Sequence, residues 1–555
     1  MRSCVRCGKT LVRVFMTLFL LFSLLPGLRP AASETAAQVQ EKARPELNIF
    51  SFDDHTIPFK KNLKLTLVEA RKYEGNPVVP RGPEGSVDHH RAQFYGSVLK
   101  MNGKFRMWYA ACSDDRMSNG QSVSFRIAYA ESLDGLHWTK PELGLTEFNG
   151  NKRNNLVGMP PGLDMTKIAP LASFVLYESS EKDPNRRYKM AVYGNYSRTA
   201  DPRAHPTTIY TFFSADGLTW KLAIPAPIAG GIFSDKEASI VSKHGYEIGG
   251  LYKFDGIYFA PGQQISPDIY MPDGSPAMRT MVVFWSGDFV KWSEDKSFAY
   301  QRYGFKPAPQ GPLPPGSARN PETFEMYGLR HRYGEETHEP VGAWVRGNVI
   351  FGLYGLWHGT SDRSKNRMDL GFLVSNDGIH FREPIADFPL IKAGPTGAWD
   401  RHGLIHGQGY ENVGDQTYIY YGTWDLSYPG NSTGAIGIAM LRRDGFGYLS
   451  TIQKEPGQFT TTVLPRPASG GSVYVNAEGL GEDAYLRIEV IDKQGQPVDG
   501  YSGSQAAVVK QGGVKVKLNW SGKTTLSFPT SHFRLKTRFE GSSADRIKFY
   551  AAYVE

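Results

Sequence analysis

Asp88, His89, His90 and Arg91 stand together just ahead of a β-like run from Tyr95 to Leu99. Four comparable clusters follow: Asp164 with Lys167; Asp235, Glu237, His244 and Glu247; His338, Glu339, Trp344 and Arg346; and Asp400, Arg401, His402, His406 and Gln408. Acids, imidazoles and guanidinium groups at separated points suit chemistry that works across a bond. Cleavage of a glycosidic bond is such a case: one carboxyl group protonates the leaving oxygen while a second activates water or attacks carbon. Asp88 is the candidate base or nucleophile, since basic and imidazole neighbours keep a carboxylate charged. Glu247, between Tyr246 and Ile248, is the candidate acid, because partial desolvation favours its protonated form, and Glu339 is its rival. His89, His90, Arg91, Asp164, His338, Arg346, Trp357, His358, Asp400, His406 and Gln408 are candidate substrate-binding residues.

Each assignment has a plainer alternative. Asp88 could cap a turn, and Glu247 could pair with Lys243 or Lys253 on the surface. Trp344, Trp357, His358 and Trp399 could stack on sugar rings or fill the packing between sheets. Adjacent residues of a strand point to opposite faces, so His89 and His90 do not suggest a shared metal ion, and no metal or cofactor is expected.

The elements that must position these residues show as a repeat. Five segments carry a β run, an Asp at a turn and an aromatic residue four positions on: Asp134 with Trp138, Asp216 with Trp220, Asp288 with Trp292, Asp377 with Phe381, and Asp444 with Tyr448. A second strand precedes each copy, after a turn holding Gly103, Asp183, Asp255, Gly347 or Gly414, which is hairpin chemistry. The spacing suits one four-stranded sheet per copy, so the fold expected is all-β: a five-bladed β-propeller followed by a C-terminal β-sandwich. The repeated Asp residues read as turn closers whose side chains bond the N–H groups just ahead, with the aromatic residue packed between blades. The segment Leu47 to Ile57 is expected to complete the last blade.

The boundaries expected are 1–33 for a secretory signal, 34–450 for a catalytic propeller and 451–555 for an accessory sandwich. Arg2, Arg6, Lys9 and Arg13 precede an apolar run from Val14 to Leu25 and the small residues Ala31 to Ser33, the pattern of a signal peptide too short to span a bilayer. Removing it with Arg29 takes the formal charge from +8 to +3. Of three cysteines, Cys112 alone then remains, so no internal disulfide can form. The expectation is a secreted or periplasmic protein with no membrane attachment after cleavage. No stripe of Lys and Arg of the kind that binds phosphate backbones is present, so nucleic acid is not a partner, and a carbohydrate is. Nothing in the chain fixes its oligomeric state. After Ser450, alternating strands such as Tyr485 to Val490 and Phe533 to Phe539, separated by Gly-rich turns, carry the sandwich.

The runs GKFRMWY (103–109), YAESLDGLHWTKPELG (129–144), RGNVIFGLYGLWH (346–358) and LVSNDGIHFREP (373–384) resemble exported bacterial five-bladed propeller glycoside hydrolases related to families 32, 43 and 130. The resemblance covers roughly residues 45–450 and implies a blade-one Asp as base or nucleophile, an acidic modulator in blade two and a Glu acid in blade three. Asp88 and Glu247 fit the first and third roles by position, and Asp164 is the candidate for the second. The chain lacks the Trp-Met-Asn-Asp-Pro-Asn-Gly run, the Arg-Asp-Pro triplet and the Glu-Cys pair of family 32, which argues against invertase-like action. Two other readings stay open: a carbohydrate-binding propeller without catalysis, and a family-130-like phosphorylase if His90, Arg91 and Arg346 converge on one anion site. A six-bladed sialidase fits less well, since the count is five.

Overall fold

A computed structural model gives the fold and describes residues 46–113, 125–161, 170–194, 207–224, 240–242, 246–264, 280–302, 334–359, 365–424, 434–468 and 470–555. These form an all-β chain in which the helical elements are single 3-10 turns. Five antiparallel units succeed one another as the blades of a propeller. Blade one runs Arg91–Met101, Lys104–Cys112, Phe125–Ser132 and Trp138–Thr139, and blade two Ser173–Tyr177, Tyr188–Gly194, Thr207–Ser214 and Lys221–Leu222. Blade three has a first strand in two pieces, Tyr246–Ile248 and Tyr252–Phe254, against Ile257–Gln264, followed by Thr280–Ser286 and Ser297–Tyr300. Blade four holds Gly334–Arg346, Val349–Gly359 and Arg367–Ser375, and blade five Gly403–Val413, Gln416–Trp424 and Ile436–Arg442.

Neighbouring blades are tied in a closed order. Val175 N–H donates to Ser97 Oγ (2.8 Å) between blades two and one, and Lys253 bonds Glu178 between three and two. Phe381 N–H donates to the Ala299 carbonyl (3.0 Å) between four and three, Met368 pairs in parallel with Gly403 between four and five, and Gln408 and Gly409 pair in parallel with Ser97 and Val98 between five and one. The Asp turns hold as read from the sequence. Asp134 Oδ1 accepts from the N–H groups of Leu136 and His137, and Asp216, Asp288 and Asp377 repeat the pattern two and three residues ahead. Each turn is also pinned by the preceding blade: Tyr420 donates to the Gly135 carbonyl (2.8 Å), Trp108 to that of Gly217 (2.7 Å), Tyr252 to that of Gly378 (2.7 Å) and Arg186 to that of Asp288 (3.0 Å).

Two expectations need correcting. Asp444 is not a fifth copy of that turn: it is fully buried, and its carboxylate takes Arg346 (2.5 Å), Asn412 (2.9 Å) and Tyr553 (2.8 Å). The chain leaves blade five here, so the side chain anchors the exit strand instead of closing a local turn. Nor does Leu47–Phe50 complete the last blade; it pairs with Lys548–Val554, and the closing strand is Arg71–Lys72, antiparallel to Ala439 and Met440. Two six-stranded sheets pack face to face beyond the propeller. Ile49, Leu449, Val475 and Phe549 of one meet Phe459, Leu486, Ile488 and Phe539 of the other, so the segment 47–67 belongs with these sheets by its hydrogen bonds.

Candidate functional site

The first strand of a blade lies nearest the propeller axis, and here those of blades one, three, four and five are interrupted. In blade one Gln93 faces Ala110 while Ser97 faces Trp108, in blade four His338 faces Gly355 while Gly342 faces Leu353, and in blade five His406 faces Tyr421 while Tyr410 faces Ile419. These three first strands thus carry the same two-residue insertion, a bulge that turns the backbone out of the ladder, whereas Ser173–Tyr177 of blade two pairs without one. In blade three the strand breaks at Gly249 to Leu251. Glycine lets these pieces approach: a Cβ on Gly249 would sit 2.3 Å from the Glu339 carbonyl oxygen, and one on Gly407 2.4 Å from the Phe94 ring. Gln408 closes the throat, since its carboxamide donates to the carbonyl and accepts from the N–H of Leu251.

Glu247 and Glu339 are linked at this throat through Gln263. Glu247 pairs directly across the ladder with Gln263, whose Nε2 donates to Glu247 Oε2. Gln263 is itself buried, and its Oε1 accepts the N–H of Glu339 (3.0 Å). Glu339 is buried with φ +40°, a left-handed conformation rare for a residue with a side chain of this size. From blade five His406 Nε2 donates to the Glu339 carbonyl, which fixes that tautomer and leaves Nδ1 buried without a partner. Burial pushes the His406 imidazole down to about 4, outweighing the upward pull of its bond to that carbonyl.

The imidazole therefore remains neutral while the unfolded chain, with an ordinary value near 6.5, takes up a proton. Stability that is full above pH ~6.5 is expected to fall as pH drops towards ~4, by at most about 3 kcal/mol from this group. His406→Gln keeps an N–H donor for the carbonyl, so its urea midpoint should vary less than the wild type's over that interval; parallel curves would contradict the assignment.

Beside this pair lies an aromatic group. His338 stacks on Trp357 (centroids 5.8 Å, 13°) and lies 5.9 Å from Trp424, and the Tyr95 hydroxyl reaches His338 Nδ1 (3.4 Å). Tyr95 also meets the His406 ring edge-on at 5.8 Å. Arg302 donates to the Trp357 carbonyl (3.0 Å) and is paired with Asp387 (2.6 Å). Thus Glu247, Glu339, His338, Trp357, His406 and Gln408 lie in one connected set of contacts. Gln263, Tyr95, Trp424 and Arg302 join them unforeseen, and a glutamine ending the apolar run Ile257–Gln264 was the available signal for the first.

Asp88 takes a different place. It is 1 % exposed and points back along its own blade, accepting from Tyr109 of the second strand (2.7 Å) and Lys140 beyond the fourth (2.6 Å). Asn155 donates to the same phenol (2.9 Å). Blade five repeats this arrangement with Asp400, which accepts from Tyr421 (2.9 Å) and Lys72 (2.6 Å), while Asn76 reaches that phenol (3.4 Å). The sequence carries the duplication as Gly82-Pro83-x-Gly85-x-x-Asp88 and Gly394-Pro395-x-Gly397-x-x-Asp400. Donors from the same blade satisfy both carboxylates, so neither Asp88 nor Asp400 stands open to the axis.

Arg346 also lies elsewhere. It is past the bulge of its strand, paired with Asp444 and Glu46 (3.0 Å), so it does not converge with His90 and Arg91. His89 and His90 occupy a bend, not a strand, and their rings lie side by side at 4.8 Å. Among the described residues no group of three His, Cys, Asp or Glu side chains is placed to hold a metal ion. Arg91 donates to Gln93 (3.3 Å), and His358 bonds Asp369 (3.3 Å). Trp344 and Trp399 stack on Tyr410 and Tyr421 as packing. Asp164, Lys167, Asp235, Glu237 and His244 fall outside the described residues. On the other side of the throat a cavity of about 410 Å³ is lined by all five blades, including Glu178 and Glu411, which the sequence reading did not single out. Burial raises the Glu178 carboxyl, but bonds from Lys253, Tyr258 and Lys189 overcome it and hold the group down at about 2; burial raises Glu411.

No family model matches the chain, and no curated protein matches it. Among solved structures it is similar to one from the GH130 family of mannoside phosphorylases that contains glycoside hydrolases targeting beta-1,2 mannosidic linkages in Candida mannan (13% identity, TM-score 0.40, 67% of this chain and 94% of that one). It is also similar to a glycosyl hydrolase from Bacteroides ovatus (14%, TM-score 0.39, 68% and 96%) and to the beta-1,2-mannobiose phosphorylase from Listeria innocua (12%, TM-score 0.40, 69% and 97%).

Proposed function

We propose that the protein is a glycoside hydrolase whose acid pair is Glu247 and Glu339, acting on a poly- or oligosaccharide. The observation that carries this reading is the single carboxamide of Gln263, which touches the carboxylate of Glu247 and the backbone N–H of Glu339 and so ties two acid-bearing residues of two blades through one side chain. The half-buried ring of Trp424 beside them suits the apolar face of a sugar ring. Asp88, the first candidate for base, leaves the pair, and Glu247 and Glu339 divide the roles of base or nucleophile and acid. A phosphorylase needs a cationic seat for phosphate, and the separation of Arg346 from His90 and Arg91 speaks against one built from those residues. Export guided by residues 1–33 is part of the same proposal.

The test is a hydrolysis screen of plant and algal polysaccharides and of mannosides, with and without inorganic phosphate, for wild type and Glu247→Gln. Reducing ends should appear without phosphate, and the variant should be slower by about 10²-fold or more. Binding without turnover would mark a carbohydrate-binding propeller, and turnover that requires phosphate a phosphorylase; either outcome removes the hydrolase reading.

A further inference from the structure

The geometry points to Gln263 as a positioning residue that sets the spacing and aim of the two acids, with His406 as its counterpart from the opposite blade. This rests on the reading of Glu247 and Glu339 as the acid pair. Gln263 and Glu247 are directly opposite on adjacent antiparallel strands, so their side chains leave the sheet on one face within bonding reach. An amide has two distinct ends, and here each is used on a different blade: Nε2 on the Glu247 carboxylate and Oε1 on the Glu339 N–H (3.0 Å). Neither Leu nor Lys could make both contacts.

Glu339 needs such a hold. At φ +40° its backbone sits where a residue with a Cβ stays only when its surroundings over-determine it. Both of its peptide groups are seized: the N–H by Gln263 and the carbonyl by His406 Nε2, with Gly249 of blade three pressed against that same carbonyl. These contacts fall on the main chain, so they fix the backbone from which the carboxyl departs. Glu339 is thus held from blades three and five at once.

Gln263→Leu removes both ends of the bridge and is expected to lower kcat by about 10²-fold, the scale of a misplacement near 1 Å, with KM within about threefold. Gln263→Glu keeps the Oε1 acceptor but sets a second carboxyl against Glu247, so the limb of its pH–kcat profile that Glu247 sets, the acid limb if it is the base and the alkaline limb if it is the acid, should move to higher pH as the two share a proton. Wild-type kcat in the Leu variant, or a profile with neither limb moved in the Glu variant, overturns the inference. A crystal structure of Gln263→Leu supplies a readout without substrate: Glu339 should leave the left-handed region, and its persistence there counts against the clamp. Should the wild type hydrolyse nothing, the hydrolase reading falls while that structure still decides the role of Gln263.

Discussion

Glu339→Gln should lower kcat by about 10²- to 10⁴-fold while the melting temperature stays within a few degrees of wild type. The substitution is close to isosteric, and the peptide groups of residue 339 donate to Gln263 Oε1 and accept from His406 Nε2 whatever the side chain carries. Folding should therefore be little affected, and what disappears is a group that can give or take a proton. The role of Glu339 follows from the substrate dependence of the loss. If it protonates the leaving oxygen, an aryl glycoside whose leaving group departs without protonation should recover most of the rate in the variant. If it is the base or nucleophile, good and poor leaving groups should suffer alike, and Glu247→Gln should show the recovery instead. Full activity of both variants would dismiss the throat as the reacting site.

What the sequence made legible was local. The Asp turns could be read because an Asp bonds N–H groups two and three positions ahead, so cause and effect lie within five residues, and four of the five expected turns form. Where partners were remote, the reading failed. The carboxylate of Asp88 is settled by Tyr109 and Lys140, 21 and 52 positions away. No local pattern says which way along the blade it turns, although the duplicated Gly-Pro-x-Gly-x-x-Asp would have shown that its setting is shared with blade five. The closing strand is two charged residues, Arg71 and Lys72, too short and too polar to stand out. Leu47–Phe50, the more strand-like segment, finds its partner at the other end of the chain in Lys548–Val554. Gln263 was hidden for a different reason: it is uncharged, so a search for titratable groups passes over it.

The two buried quartets allow the structural and catalytic roles of Asp88 to be separated. Asp88→Ala takes the acceptor from the Tyr109 hydroxyl and leaves Lys140 only the Pro80 carbonyl, and Asp400→Ala takes the acceptor from Tyr421 and the ion pair from Lys72. Both phenols are pushed well above their ordinary value, by burial first and then by the neighbouring carboxylate, so they stay protonated and keep needing an acceptor. Each lysine retains some contact with water, with 25% and 29% of its side chain exposed, which limits the loss to about 3 kcal/mol per site. The two substitutions should lower stability by similar amounts, and with no shared partner their effects should add within about 0.5 kcal/mol in the double variant. If Asp88 only braces its blade, kcat/KM per folded molecule should stay within about threefold of wild type in both single variants, measured below their urea midpoints. A loss of about 10³-fold confined to Asp88→Ala, with Asp400→Ala active, would instead place Asp88 in the chemistry, because blade five reproduces its surroundings and so controls for every effect of stability.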